Sequence, residues 1–172
     1  MSEIKVIPYM RIDGVPNFRD SQIMEFYDRM EADGTLDHVT CRKNVMSRTD
    51  WANVVLNSVL LVAFRDGRAV GIAIINGFEG TFARGHFCLF SEAWGKGSVE
   101  IGKAMLDASF KLKDCDGKPI AGFLGILPSN NRQAVEFLIK CGGVFIGAMP
   151  FGWIFCGESS PATICYFARR GD

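Results

Sequence analysis

Residues 94 to 98, Trp94-Gly95-Lys96-Gly97-Ser98, stand just ahead of an amphipathic run that begins at Ile101. Two glycines with one residue between them give a tight turn or let a backbone approach a ligand closely. A helix opening there would present unpaired N–H groups and partial positive charge, a surface suited to a diphosphate, with Lys96 offering a further cation. The same letters also serve as a plain turn between a strand and a helix. For proton transfer, His86 is the first candidate because imidazole titrates near neutral pH, and Glu79 is the second; a core histidine and a solvated turn glutamate are the alternatives. Six cysteines carry no C-x-x-C pair and only His38 and His86 accompany them, so no metal site is expected and the thiols read as free and mostly buried.

The elements that must position these groups follow from periodicity. Asp20 and Ser21 offer cap oxygens for a helix over 21–33, with Ile23, Phe26, Tyr27 and Met30 at helical spacing and Gly34 as its stop. Thr49 or Asp50 caps a shorter helix carrying Trp51, Val54 and Val55. Residues 58–64, 69–77 and 81–90 read as three antiparallel strands, the first two joined at Asp66-Gly67. Alternation in the third puts Phe82, Arg84, His86, Cys88 and Phe90 on one face. Beyond the glycine loop, Ile101, Met105, Ala108 and Leu112 form a helical stripe. A strand over 119–127 then completes a βαβ unit with parallel strands and a right-handed crossover. A loop and helix over 129–143 follow, with Ala134, Leu138 and Cys141 inward, and strands at 144–149 and 162–170 close the sheet.

Length and charge bound the function. A chain of 172 residues suits one well-buried domain spanning 1–172. Nineteen basic residues balance 19 acidic ones, which leaves no electrostatic footprint for nucleic acid or an anionic membrane. A small or mid-sized ligand is the expected partner. The opening MSEIKVIPYM has no secretory pattern, so a cytoplasmic protein is expected. Residues 141–157 carry no charge but are too short and glycine-broken for a membrane span; Phe151, Trp153 and Phe155 within them are expected to be buried against the sheet.

This order of elements resembles the GCN5-related N-acetyltransferase superfamily, from about residue 20 to 169, as a divergent member. WGKG at 94–97 with IGKAMLDASF at 101–110 is similar to the family's pyrophosphate loop, R/Q-x-x-G-x-G/A, and the helix it opens. NRQAVEFLIKCGG at 131–143 is similar to its closing N-x-x-A-x-x-x-Y-x-x-x-G-F segment. The resemblance implies an α/β (α+β) fold with a mixed, mostly antiparallel twisted sheet of six to seven strands and about four flanking helices. It also implies an N-acyltransferase that takes an acetyl or acyl group from acetyl-CoA (coenzyme A) to an amine, on a small molecule or a protein. The cofactor would lie along Leu89, Phe90 and Ser91, with its diphosphate at Trp94, Gly95, Lys96, Gly97 and Ser98, and Asn131 would contact it or act as a plain helix cap. Three positions depart from the pattern. Glu92 stands where the family has Gln or Arg, and Val99 where it has a small residue, unless Gly102 is the true equivalent. Leu138 replaces the usual acidic Tyr. These departures favour the alternative of an inactive binding or assembly protein in a larger complex, such as a virus particle, and a homodimer fits either reading.

Overall fold

The computed structural model describes residues 3–39, 46–114, 116–155 and 158–169. Its frame is a seven-stranded sheet of spatial order β1-β4-β5-β6-β7-β9-β8. The strands are β1 (Ile4–Pro8), β4 (Val59–Arg65), β5 (Arg68–Glu79), β6 (Phe82–Leu89), β7 (Gly122–Pro128), β8 (Val144–Phe155) and β9 (Glu158–Ala168). A separate ribbon pairs β2 (Arg11–Ile12) with β3 (Val15–Pro16). Every sheet pairing is antiparallel except that of β6 with β7. Asp66 and Gly67 both take positive φ in the β4–β5 turn, the twist a two-residue hairpin needs.

Side-chain alternation divides the core between two faces. Leu60, Val62, Ile72, Ile74 and Cys88 point to one side, where α1 (Asp20–Ala32), the short α2 (Leu36–Val39) and α3 (Arg48–Leu56) bury Phe26, Met30 and Trp51 against them. Leu61, Ala63, Ala73 and Ile75 point to the other, where α4 (Ser98–Ser109) contributes Ile101 and Met105 and α5 (Arg132–Lys140) contributes Leu138. Each such large apolar side chain contributes about 1.5–3 kcal/mol on burial. Four helices of nine residues or more thus flank the mixed sheet, as expected.

Several local expectations are corrected. Neither Asp20 nor Ser21 caps α1: both lie inside it, and the Gln22 carboxamide oxygen accepts from the Arg19 N–H at 2.9 Å. Ser47, not Thr49 or Asp50, caps α3, and Asp50 closes a reciprocal box onto it. Phe90 and Ser91 lie beyond the end of β6, and residues 91–93 form a 3-10 turn instead. Phe151 is 79% exposed at positive φ on the edge strand β8, whereas Trp153 is 2% exposed; the side chain of Phe155 lies outside the described residues. Cys88, Cys141 and Cys165 are free and buried, and Cys41, Cys115 and Cys156 lie outside the described residues. No helix among the described residues is long and apolar enough to cross a membrane.

Candidate active site

Strands β6 and β7 pair only where Phe82, Ala83 and Arg84 face Gly122, Phe123 and Leu124. Beyond that point Gly85 to Leu89 and Gly125 to Leu127 line opposite walls of a cavity of about 1130 Å³, large for a small-ligand site. The Phe90 N–H donates to the Val70 carbonyl at 3.1 Å, so the backbone of that residue turns toward β5. Strand alternation then turns the peptide groups of Gly85, Phe87 and Leu89 toward the opening, where an extended ligand can bond to them as an added strand would. The Leu89 carbonyl already accepts from Trp94 Nε1 at 2.8 Å, and the Ser91 N–H donates to the Asp33 carboxylate at 2.8 Å. Of the strand positions named from the sequence, Leu89 lines the opening, and Gly85 and Phe87 are further positions on the same edge that sequence reasoning did not name.

The glycine loop opens α4 at one end of this cavity. Gly95 and Gly97 adopt φ of +82° and +89°, conformations that favour glycine, and Gly97 is the residue from which the helix starts. Trp94, Gly95, Ser98 and Val99 line the cavity; the Ser98 N–H donates to the Gly95 carbonyl at 3.1 Å, so Val99 is the lining residue that brings a first-turn amide of α4 to the wall. Arg65 braces the loop by donating to the Gly97 carbonyl at 3.0 Å. Lys96 is exposed and Gly97 sits behind the lining residues. Glu92 is turned away to form an ion pair with Arg29. Gly102 has a packing role: a Cβ there would lie 2.5 Å from Cys141 Sγ and 2.6 Å from Phe137 Cζ, so its smallness lets α4 and α5 touch.

Both described histidines reach the cavity. His86 projects from β6, and burial, reinforced by the neighbouring Arg84 guanidinium, pushes it below the usual histidine range despite a hydrogen bond to the Val39 backbone. The neutral imidazole, the form that can accept a proton, is thereby favoured. His38 enters from α2, a residue that no spacing rule had marked, although it is one of only two histidines in the chain. Asn131 spans to it: its Oδ1 caps α5 by accepting from the Ala134 N–H at 3.1 Å, and its Nδ2 lies 3.3 Å from His38 Nδ1. With the amide oxygen committed to the cap, Asn131 turns its Nδ2 toward the His38 ring. Asn131 is thus a helix cap and also part of the cavity wall.

The remaining candidates are placed as follows. Glu79 lies at the far end of β5, exposed, 3.7 Å from Arg84 and away from the cavity lining. Leu138 lines the cavity with a buried apolar side chain and offers no proton. Cys88 also lines it, but burial holds its thiol up at about 11, with the Thr35 hydroxyl 3.3 Å away.

Comparison with known proteins agrees with this geometry. No family model matches the chain, and no curated protein matches it in sequence. Among solved structures, it is similar to an acetyltransferase from Salmonella typhimurium that modifies the N-terminal serine of ribosomal protein L7/L12, with a TM-score of 0.74, 10% identity, and coverage of 97% of this chain and 95% of that one. Spermidine N-acetyltransferase from Vibrio cholerae, solved with CoA and spermine, matches with a TM-score of 0.71 and 12% identity over 96% and 95% of the two chains. The microcin C7 self-immunity acetyltransferase, solved with acetyl-CoA and AMP, matches at 0.68 and 14% over 88% and 89%. At 10 to 14% identity these likenesses speak for architecture, and the chain has the fold of the GCN5-related N-acetyltransferases in a divergent form.

Proposed function

We propose that the protein is an N-acyltransferase that takes an acyl group from acetyl-CoA or a close relative and passes it to an amine. The observation that carries this reading is the parting of β6 from β7 beside a glycine-opened helix, since it joins an unfilled strand edge to an anion-binding helix end. The residues fit a CoA thioester. The peptide groups of Gly85 and Phe87 suit the amides of an extended pantetheine arm. The first turn of α4 suits a diphosphate, and the pairing of Glu92 with Arg29 lessens the opposition of that acid. When bound, the thioester supplies an acyl carbonyl carbon open to attack by a neutral amine.

What this chain adds is proton management and exclusion of water. His86, neutral and on the cavity wall, accepts the amine proton directly or through one water as the new C–N bond forms. Leu138 and Phe137 make that end of the cavity apolar, and Leu138 cannot protonate a departing thiolate. The proton held by His86 or by solvent serves instead, so turnover is slow relative to an enzyme with a positioned acid. Acceptors of the kind named for the similar structures, a polyamine or a protein N-terminus, are the amines to try first.

A second reading, an acyltransferase fold kept for binding alone, is favoured by Leu138 and by the exposed Val144, Phe145, Ile146 and Phe151 on β8. One assay separates the two. Purified protein is incubated with acetyl-CoA and a panel of polyamines and N-terminal peptides, and acetylated product is followed by mass spectrometry. Product that disappears in His86→Gln supports transfer; CoA binding without product on any amine supports the binding protein.

A further inference from the structure

Helix α1 and the cofactor loop are joined by two contacts far apart in sequence. Arg29, near the end of α1, places its guanidinium 3.6 Å from the centroid of the Phe90 ring. One of its nitrogens donates to the Ala69 carbonyl of β5 at 2.9 Å and the other to the Glu92 carboxylate. Four residues on, Asp33 ends α1 and accepts the Ser91 N–H at 2.8 Å. The 91–93 turn is thereby pinned at two successive residues, and it is this turn that delivers Trp94 to Ser98 to the cavity. Glu92 has a role here that an Arg could not fill, because two cations would meet, and that a Gln would fill only as a weaker, neutral acceptor for Arg29.

We infer that Arg29, Asp33 and Glu92 are positioning residues that hold the glycine loop in its cofactor-binding conformation, and that Glu92 acts through α1 and not on the diphosphate. The inference rests on the proposed binding of CoA at the loop. It has a further consequence, because Asp33, Gly34 and Thr35 also line the cavity from the α1 side. A ligand that shifts this segment shifts the Ser91 anchor with it.

The test is calorimetric titration of CoA into the parent protein, Arg29→Glu, Glu92→Arg and the double charge swap, with melting temperatures recorded for each. Either single change sets like charges against each other and should weaken CoA binding by about tenfold or more, and the swap should recover only the part owed to the ion pair, because a carboxylate at position 29 cannot donate to the Ala69 carbonyl or stack on Phe90 as a cation. Asp33→Asn, which keeps an oxygen acceptor for Ser91, should bind better than Asp33→Ala. If Glu92→Arg alone binds CoA more tightly than the parent, that position acts on the diphosphate and the inference is overturned. Equal affinity in all four proteins, or a swap that restores the melting temperature but not the affinity, overturns it as well. A parent protein that binds no CoA at millimolar concentration defeats the underlying reading instead, an outcome distinct from the others.

Discussion

The proposed role of His86 as a general base depends on an environment that favours its neutral form. Burial and Arg84 lower its pKa, so the proton acceptor is present at neutral pH and lost only in acid. The rate of acetyl transfer should therefore rise with pH through an ionisation below the ordinary value of 6.5 and level off above it. His86→Gln should remove that ionisation and lower the turnover number by about 10²–10⁴. Stability follows the same sign. A histidine whose folded pKa lies below its unfolded one binds fewer protons when folded, so its contribution is complete above the unfolded pKa and falls as pH drops toward the folded value. The melting temperature of the parent should drop below pH 6.5 more steeply than that of His86→Gln. Leu138 sets the complementary expectation: Leu138→Tyr brings a phenol to the cavity wall and should raise the turnover number with little change in the KM for acetyl-CoA. An unchanged rate in the folded variant would show that proton delivery to the thiolate does not limit turnover.

At the scale of elements, smallness and backbone conformation do separate jobs at two glycines. Gly102→Ala should force α4 from α5 and destabilise the protein by about 1–3 kcal/mol, measured by denaturant unfolding, because the added carbon meets Cys141 and Phe137 at 2.5 to 2.6 Å. Gly95→Ala meets no atom within 4 Å, so its cost is that of a left-handed alanine, about 1–2 kcal/mol. Sequence periodicity sufficed for α1, for the β4–β5–β6 meander and for α4 and α5, since each carries a run of well-placed apolar residues. It did not reveal β1, whose five residues bury only every second side chain partway, or α2, a single turn that packs in place through Leu36 and Val39. The candidate site was legible only in part for a related reason. Gly95, Gly97 and Asn131 announce themselves through local rules for turns and caps. The Arg29–Glu92 pair spans 63 positions and the His38–Asn131 contact 93, and no local pattern encodes contacts at such separations.

For the whole molecule, the sheet forms one frame whose defect between β6 and β7 is where a ligand can add binding energy. A ligand that occupies that defect and bonds to both walls favours the folded state alone. Acetyl-CoA at about 100 times its Kd should stabilise the protein by about 2.7 kcal/mol, seen as a rise of roughly 5–10 °C in melting temperature. Free adenine nucleotide, which lacks the pantetheine arm, should give a smaller rise.

Calorimetric titration of acetyl-CoA into the parent and into Gly95→Glu reads out the proposed binding of a CoA thioester between the parted strands and at the glycine loop. The predicted result is one site per chain in the parent, with a Kd between about 1 μM and 1 mM. The folded variant, with a carboxylate placed at the loop, should show little or no binding. No heat of binding in the parent, or equal affinity in a variant whose fold is verified by its circular dichroism, would mean that CoA does not bind at this loop.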